Sequence, residues 1–103
     1  MAPYKAQYKT EGKVLKVTGK LDFAEEEGLR KAGTALLSKG EGEIVLDLAK
    51  VTYISSSCLG EILVLDEESK KKGRPFKVLI PRALLYVYDL MGIRSVVNTD
   101  IVE

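Results

Sequence analysis

The sequence lacks histidine and tryptophan and contains one cysteine, Cys58, among its 103 residues. Without histidine, the chain has no Ser-His-Asp or Cys-His catalytic group and no imidazole ligand for zinc. A single cysteine excludes an intrachain disulfide and a four-thiolate metal site. Five tyrosines and two phenylalanines are the only aromatic residues, so side chains on which nucleic-acid bases stack are scarce. The sequence therefore does not fit the common hydrolase and zinc-site chemistries.

Long hydrophobic runs and an excess of one charge are also absent. The longest apolar run, Ala83–Tyr88, has six residues and is too short to cross a bilayer. Sixteen basic and fifteen acidic residues leave a formal charge of +1, which gives no general attraction to nucleic acid or anionic membranes. Met1–Lys5 is not followed by the apolar segment of a signal peptide. We therefore expect a cytoplasmic protein that neither binds nucleic acid nor inserts into a membrane.

The composition is that of an ordinary globular domain, with 46% hydrophobic and 30% charged residues. No repeat or linker divides the chain, so we predict one domain over residues 1–103. The alternating segments Tyr4–Thr10 and Lys13–Thr18, separated by Glu11-Gly12, predict an antiparallel hairpin. Gly19 is expected to end the second strand of this hairpin.

From Asp22 onward, predicted helices alternate with apolar strands. Asp22 can cap a first helix, whose apolar side chains recur at helical spacing from Leu29 to Leu37. This alternation predicts an α/β fold, in which the hairpin and parallel strands form a mixed, largely parallel sheet with packed helices. The other predicted elements are a strand Ile44–Leu46 interrupted by Asp47, a helix that closes at Lys70–Lys72, a strand Phe76–Ile80, a helix from Pro81 to Gly92, and a short strand Ser95–Val97 that Ile101-Val102 extends.

The segment Ser55-Ser56-Ser57-Cys58, called here the serine turn, falls at a predicted strand-to-helix junction. In parallel sheets, functional groups collect beyond the carboxyl ends of the strands. One serine suffices to cap the helix, and three exceed what a cap needs. One of them is therefore a candidate phosphorylation acceptor, because a phosphate would place about two negative charges where a partner docks.

Two chemical interpretations of Cys58 stay open. A thiol near a helix N-terminus is reactive when its pKa is lowered, but the same side chain also fills space in a first turn. The turn is not a Gly-x-Ser-x-Gly nucleophile elbow, and the chain has no Walker loop and no Gly-x-Gly-x-x-Gly segment. We expect no catalytic residues, no cofactor and no metal site.

Three further motifs, in this order, are similar to those of a known family. Val14–Asp22 resembles an early strand that ends in Gly, a variable residue, Leu and Asp, and Ile44–Ile54 resembles the central strand and the approach to the site. Leu90–Ile93 resembles a late Gly-Leu/Ile pair. Together they resemble the STAS domain, which occurs in bacterial anti-sigma-factor antagonists, stress-signalling scaffolds and transporter subunits. The resemblance covers nearly the whole chain and implies a binding module.

In this family the signature turn commonly reads Asp-Ser-Ser-Gly, with Leu-Gly just beyond. The corresponding residues are the serine turn, followed by Leu59-Gly60. The resemblance implies that Ser57 is the phosphorylation acceptor and that Ser55 and Ser56 are supporting hydroxyls. Ser55 stands where the family usually has Asp, and Cys58 stands where it has Gly.

The resemblance also implies the partners. The unphosphorylated protein would dock on an ATP-binding anti-sigma factor of the serine-kinase type and release its sigma factor. That kinase would phosphorylate the serine turn and weaken docking, and a PP2C-like phosphatase would restore it. ATP belongs to the partner in this scheme, and the present chain is not an enzyme.

The expected docking surface combines the serine turn with the helix after it. Ile62–Leu65 are four consecutive apolar residues, and a helix cannot turn all four inward. We expect Ile62 and Leu63 in the core and Val64 or Leu65 partly outside. The predicted partner-binding residues are Ser56, Ser57, Cys58, Glu61, Val64 and Leu65.

Two alternative functions are also consistent with the sequence. A non-phosphorylated STAS subunit of a membrane ABC-type transport complex is consistent with the missing Asp and Gly of the turn. A thiol-based sensor or enzyme would use Cys58.

Overall fold

The protein folds around a five-stranded sheet whose strands pair in chain order. The strands are β1 (Gln7–Glu11), β2 (Val14–Leu21), β3 (Ile44–Ile54), β4 (Phe76–Pro81) and β5 (Asn98–Val102). β1 and β2 are antiparallel, and every later pair of neighbours is parallel. The predicted fold class is thereby confirmed. The computed structural model describes residues 5–103, so Tyr4 of the predicted hairpin and residues 1–4 of the segment examined for a signal peptide lie outside the described residues.

Three helices connect the parallel strands: α1 (Glu26–Leu37), α2 (Ser56–Lys71) and α3 (Leu85–Leu90). Successive right-handed crossovers between neighbouring strands place all three helices on one face of the sheet. Leu46 and Val78 on that face are fully buried, whereas Asp47 and Lys77 on the opposite face are only partly buried. The hydrophobic core therefore lies between the sheet and the helical layer. No helix within residues 5–103 is long and apolar enough to cross a membrane.

The first helical segment begins as the sequence predicts, with Asp22 as a cap. The Asp22 carboxylate accepts a hydrogen bond from the Ala24 amide at 3.1 Å and starts a 3-10 turn, Phe23–Glu25, that leads into α1. Leu29 and Leu36 of α1 are buried against the sheet. Because this turn follows β2 directly, it stands at the carboxyl edge of the sheet.

Three predicted strand boundaries are wrong, each for a local reason. Gly19 does not end β2, because its φ of +96° forms an irregularity through which the strand continues. Asp47 does not interrupt β3, because it points to the partly buried face and accepts a hydrogen bond from the Ala49 amide at 3.0 Å. Ser95–Val97 is not a strand: Ile93–Ser95 forms a 3-10 turn, and the apolar Val97 is buried where that turn meets β5.

Gly19→Ala is expected to lower the free energy of unfolding by about 2 kcal/mol, because it combines backbone strain with a steric clash. A Cβ at Gly19 would lie 2.9 Å from the carbonyl oxygen of Lys5. The control is Gly12→Ala, which has a φ of +61° but no atom within 4 Å of the added carbon. Urea denaturation of both variants measures the difference. Equal destabilisation of the two would contradict the proposed clash.

Candidate functional site

The serine turn lies at the carboxyl edge of the sheet, between the end of β3 and the start of α2. The Ser55 amide donates to the carbonyl oxygen of Leu21 at 2.8 Å, so the turn is fastened to the end of β2 as well. Leu21 and Ile54 are also paired in the sheet. The turn is thus held by two neighbouring strands and one helix.

The three serines of the turn have different surroundings. Ser55 is the N-cap of α2, and its Oγ accepts a hydrogen bond from the Cys58 amide at 3.2 Å. The Ser57 and Ser55 hydroxyls lie 3.0 Å apart and share a hydrogen bond. Ser57 is partly exposed and Ser56 is exposed. Ser55 therefore supplies the cap in place of the family's Asp, and the Ser57 hydroxyl remains at the surface.

Cys58 points into the protein and is fully buried. Its thiol donates to the carbonyl oxygen of Asp22 at 3.3 Å, which ties the serine turn to the 3-10 turn before α1. Burial raises the pKa of the Cys58 thiol, and the hydrogen bond with Ser55 opposes this only in part. The nearby carboxylates of Glu26 and Asp22 raise the pKa further. The thiol is therefore protonated at neutral pH, which argues against the thiol-sensor interpretation.

Alkylation of Cys58 by iodoacetamide at neutral pH is expected to be at least about tenfold slower in the native protein than in urea. Thiol alkylation requires the accessible thiolate, and Cys58 is neither accessible nor readily ionised. The rate is measured by mass spectrometry over time. A native rate equal to the rate in urea would restore the sensor hypothesis.

Carboxylates and exposed aromatic rings surround the serine turn. Asp22 and Glu26 act electrostatically on Cys58, as does Glu25, which accepts a hydrogen bond from the Tyr8 hydroxyl at 2.9 Å. Phe23, in the 3-10 turn, is 78% exposed, and Tyr53, at the end of β3, is 49% exposed. Neither ring was predicted from sequence to belong to the site, although aromatic residues next to the ends of parallel strands could have indicated a binding surface.

The α2 residues predicted to bind a partner divide between the surface and the core. Val64 is 48% exposed, and Ile62 is fully buried, as expected. Leu65 and Glu61 are each only 9% exposed, and Cys58 is inaccessible. The burial of these three side chains does not support their assignment to a partner-binding surface. They are buried because positions 58, 61 and 65 lie on the helix stripe that faces α1 and the 3-10 turn.

Glu61 instead joins α2 to α1 through an ion pair. The Arg30 guanidinium donates to the Glu61 carboxylate from Nη2 at 2.6 Å and from Nε at 3.2 Å. These hydrogen bonds lower the pKa of Glu61, against the opposing effect of its burial. Arg30 also contacts Glu26 at 3.1 Å. The Arg30–Glu61 ion pair therefore links α1 to α2.

The contribution of Glu61 to stability is expected to depend on pH. Because its pKa is lower in the folded than in the unfolded protein, the ion pair stabilises the fold at neutral pH and loses this effect as the pH falls through the folded pKa. Glu61→Gln should therefore be less stable than wild type at pH 7, and the gap should narrow toward pH 3. Urea denaturation at both pH values measures this gap, and a gap that widens in acid would contradict the assignment.

No group of three or more His, Cys, Asp or Glu side chains is placed to hold a metal ion within residues 5–103. The site offers instead a partly exposed serine at a helix N-terminus, nearby carboxylates and two exposed aromatic side chains. These groups give a surface suited to binding.

Comparisons with known proteins agree on the fold. A search of curated protein sequences gives no match. A proposed anti-sigma factor antagonist from Thermotoga maritima superposes with a TM-score of 0.74 at 24% identity, covering 94% of this chain and 86% of its own. An anti-sigma factor antagonist from Mycobacterium paratuberculosis gives 0.77 at 20% identity, covering 92% and 83%. The antagonist SpoIIAA in its unphosphorylated form gives 0.69 at 14% identity, covering 96% and 90%.

These superpositions establish a shared fold. The family assignment comes from sequence, because the family model described as "Mlab, STAS domain" matches residues 5–97. That match covers the hairpin, the serine turn, all three helices and the first four strands. The chain therefore belongs to the STAS domain family.

Proposed function

We propose that this protein is an anti-sigma-factor-antagonist-like regulator that docks on an ATP-binding anti-sigma factor of the serine-kinase type. Phosphorylation of Ser57 switches docking off, and a PP2C-like phosphatase restores it. The observation that carries the proposal is the Ser57 hydroxyl, which is partly exposed at the N-terminus of α2 in a fold shared with anti-sigma factor antagonists. The protein acts by binding, as a cytoplasmic regulator of transcription.

The two departures from the family's turn are compatible with this role. Ser55 caps α2 in place of Asp, so the helix still begins at the serine turn. The Cys58 side chain points inward and leaves the outer surface unobstructed. The Ser55 hydroxyl shares a hydrogen bond with the Ser57 hydroxyl, and Ser57 keeps a partly exposed position.

An exposed stripe along α2 supports docking next to Ser57. Ser57, Gly60 and Val64 follow at intervals of three and four residues and therefore lie on one side of the helix. A Cβ at Gly60 would meet no atom within 4 Å, so internal packing does not require glycine there. Glycine inside a helix costs about 1 kcal/mol relative to alanine. Close approach of a partner to this stripe would explain why glycine, which the fold does not require there, occupies position 60.

The rest of the proposed docking surface lies at the sheet edge. Phe23 and Tyr53 flank the serine turn and are exposed. Aromatic side chains of this kind commonly anchor protein interfaces. The docking surface is therefore defined by Phe23, Tyr53, Ser56, Ser57, Gly60 and Val64.

The test is affinity capture of partners from the native cell extract with the tagged protein. We expect an ATP-binding kinase without its sigma factor, because docking of this protein releases the sigma factor. Gly60→Gln should abolish capture of the kinase, because a long side chain then stands on the stripe, while a helix-favouring residue keeps the fold stable. Ala35→Gln is the matched control, since Ala35 is exposed on α1. Unchanged capture by a folded Gly60→Gln protein would contradict the proposed surface.

A second function is favoured by one feature, the carboxylates of Asp22, Glu25 and Glu26 beside the turn. A phosphate at Ser57 would be placed near these like charges, which disfavours phosphorylation. This suits a non-phosphorylated STAS subunit of a membrane ABC-type transport complex. Capture of a permease and its ATPase, without a kinase, would support this alternative.

A further inference from the structure

A cavity of about 150 Å³ lies between α1 and α2, away from the serine turn. Its deep wall is apolar, and the side chains that form it are Leu29, Leu37, Leu46, Ile62 and Leu65. Gly33 of α1 also lines it, and a Cβ there would lie 3.1 Å from Leu65 Cδ2. Exposed side chains of both helices also line the cavity, so it opens to the surface between α1 and α2 and is accessible to a ligand.

The shape and depth of this cavity suit a small apolar group. The wall reaches Leu46 in the central strand β3, and Leu46 and Ile62 are fully buried. A cavity of comparable volume lined by aliphatic side chains accommodates a benzene-sized molecule. The apolar part of a ligand is thereby limited to one aromatic ring or a chain of about six carbons.

The charged groups that line the cavity favour one sign of ligand charge. Glu61 is paired with Arg30 at 2.6 Å, and Glu68 lies 3.6 Å from Lys71. Lys72 lines the same cavity, is exposed, and has no carboxylate within ion-pair distance among residues 5–103. Within residues 5–103, its ammonium is thus the lining charge that has no ion-pair partner.

Hydroxyl groups accompany Lys72 at one end of the cavity. α1 ends at Leu37 and α2 at Lys71, so Ser38 and Lys72 stand together at the same end. The Thr34 side chain lines the cavity one turn before Ser38. The Ser38 hydroxyl donates to the carbonyl oxygen of Ala35 at 2.9 Å, so the Lys72 ammonium and the Thr34 hydroxyl are the donors that this end of the cavity offers to a carboxylate.

The geometry points to a binding site for small amphiphilic carboxylates between α1 and α2. The apolar part of the ligand packs against Ile62, Leu65 and the Gly33 backbone, and its carboxylate faces Lys72. Val64 lines this cavity and also belongs to the docking surface, but the other residues of the two sites differ. Ligand binding is measured on the isolated protein without a partner, so the two proposals fail separately.

The test is an NMR titration of the isolated protein with hexanoate, compared with hexanol. Saturable shifts of the methyl signals of Leu29, Ile62 and Leu65 are expected with hexanoate, and hexanol is expected to bind about three- to fivefold more weakly, since it lacks the charge that Lys72 attracts. No saturable shift of these methyl groups, or hexanol binding as tightly as hexanoate, overturns the proposal.

Two pairs of variants locate the site. Lys72→Gln should reduce hexanoate affinity about three- to fivefold and leave hexanol affinity unchanged, whereas Lys71→Gln, which alters the neighbouring lysine outside the cavity, should change neither. Gly33→Val should weaken both ligands by narrowing the cavity, and Ala35→Val on the exposed side of α1 should not. If Gly33→Val does not fold, the lysine pair alone decides: equal effects of Lys72→Gln and Lys71→Gln overturn the assignment.

Discussion

Ser57→Glu is expected to weaken partner capture by at least about 30-fold, whereas Ser57→Ala retains it. The Ser57 hydroxyl lies 3.0 Å from Ser55 Oγ, and carboxylates of Asp22 and Glu26 are near the same turn. An added carboxylate must therefore lose its hydration in the interface, and it adds to the negative charge already present there. Alanine adds no charge and keeps the Ser55 cap of α2. Binding is measured by surface plasmon resonance with the ATP-binding partner isolated by affinity capture.

The control for this prediction is Ser38→Glu. Ser38 is exposed and lies at the far end of α1, so a charge there changes the net charge equally but not the serine turn. Its binding should match wild type. If Ser57→Ala, shown to be folded, loses binding as completely as Ser57→Glu, then Ser57 contributes a direct contact and the charge-switch account is wrong.

Arg74→Met is expected to lower the free energy of unfolding by about 3 kcal/mol, because one buried and two partly buried hydrogen bonds to carbonyl groups are lost. Arg74 is only 6% exposed and lies between α2 and β4. Its Nη1 donates to the carbonyl oxygens of Leu37 at 2.8 Å and Lys39 at 2.7 Å, and its Nε donates to Gly42 at 2.9 Å. The side chain thus holds the end of α1 and the loop that leads to β3. Thermal denaturation should show a decrease in Tm of more than about 10 °C.

Arg82→Met provides the comparison for this variant. Arg82 contacts Glu103 at 2.6 Å, but both side chains are largely exposed and screened by solvent, so this substitution should change stability far less than Arg74→Met. Arg74→Lys should recover less than half of the stability, because one ammonium cannot reproduce the planar guanidinium contacts. A stability for Arg74→Met equal to that of Arg82→Met would show that the carbonyl contacts contribute little.

The order of helices and strands could be predicted from the sequence because it depends on local patterns. Apolar periodicity in α1, the Asp22 cap and the alternating hairpin each reflect the residues within a few positions. The length of β3 could not be predicted from the sequence. Asp47 reads as an interruption, and only pairing with neighbouring strands shows that its side chain belongs to the partly buried face of one continuous strand.

The candidate site was predictable in its position and less so in its composition. Three serines before a helix indicated the turn, and the structure places them at the carboxyl edge of the sheet. The inward orientation of Cys58 depends on a contact with Asp22, 36 residues earlier, which no local pattern reveals. Glu61 likewise is paired with Arg30, 31 residues away, so a residue expected at the docking surface proved to link two helices.

Whether this protein is a phosphorylation-controlled switch depends on phosphorylation of the Ser57 hydroxyl. The direct measurement is incubation of the wild-type protein and Ser57→Ala with ATP and the captured kinase, followed by intact-mass and peptide analysis. We expect one phosphate on the wild-type protein, located on Ser57, and none on the variant. A phosphate on any other residue, or an unmodified wild-type protein in the presence of a kinase that is active on a control substrate, would contradict it.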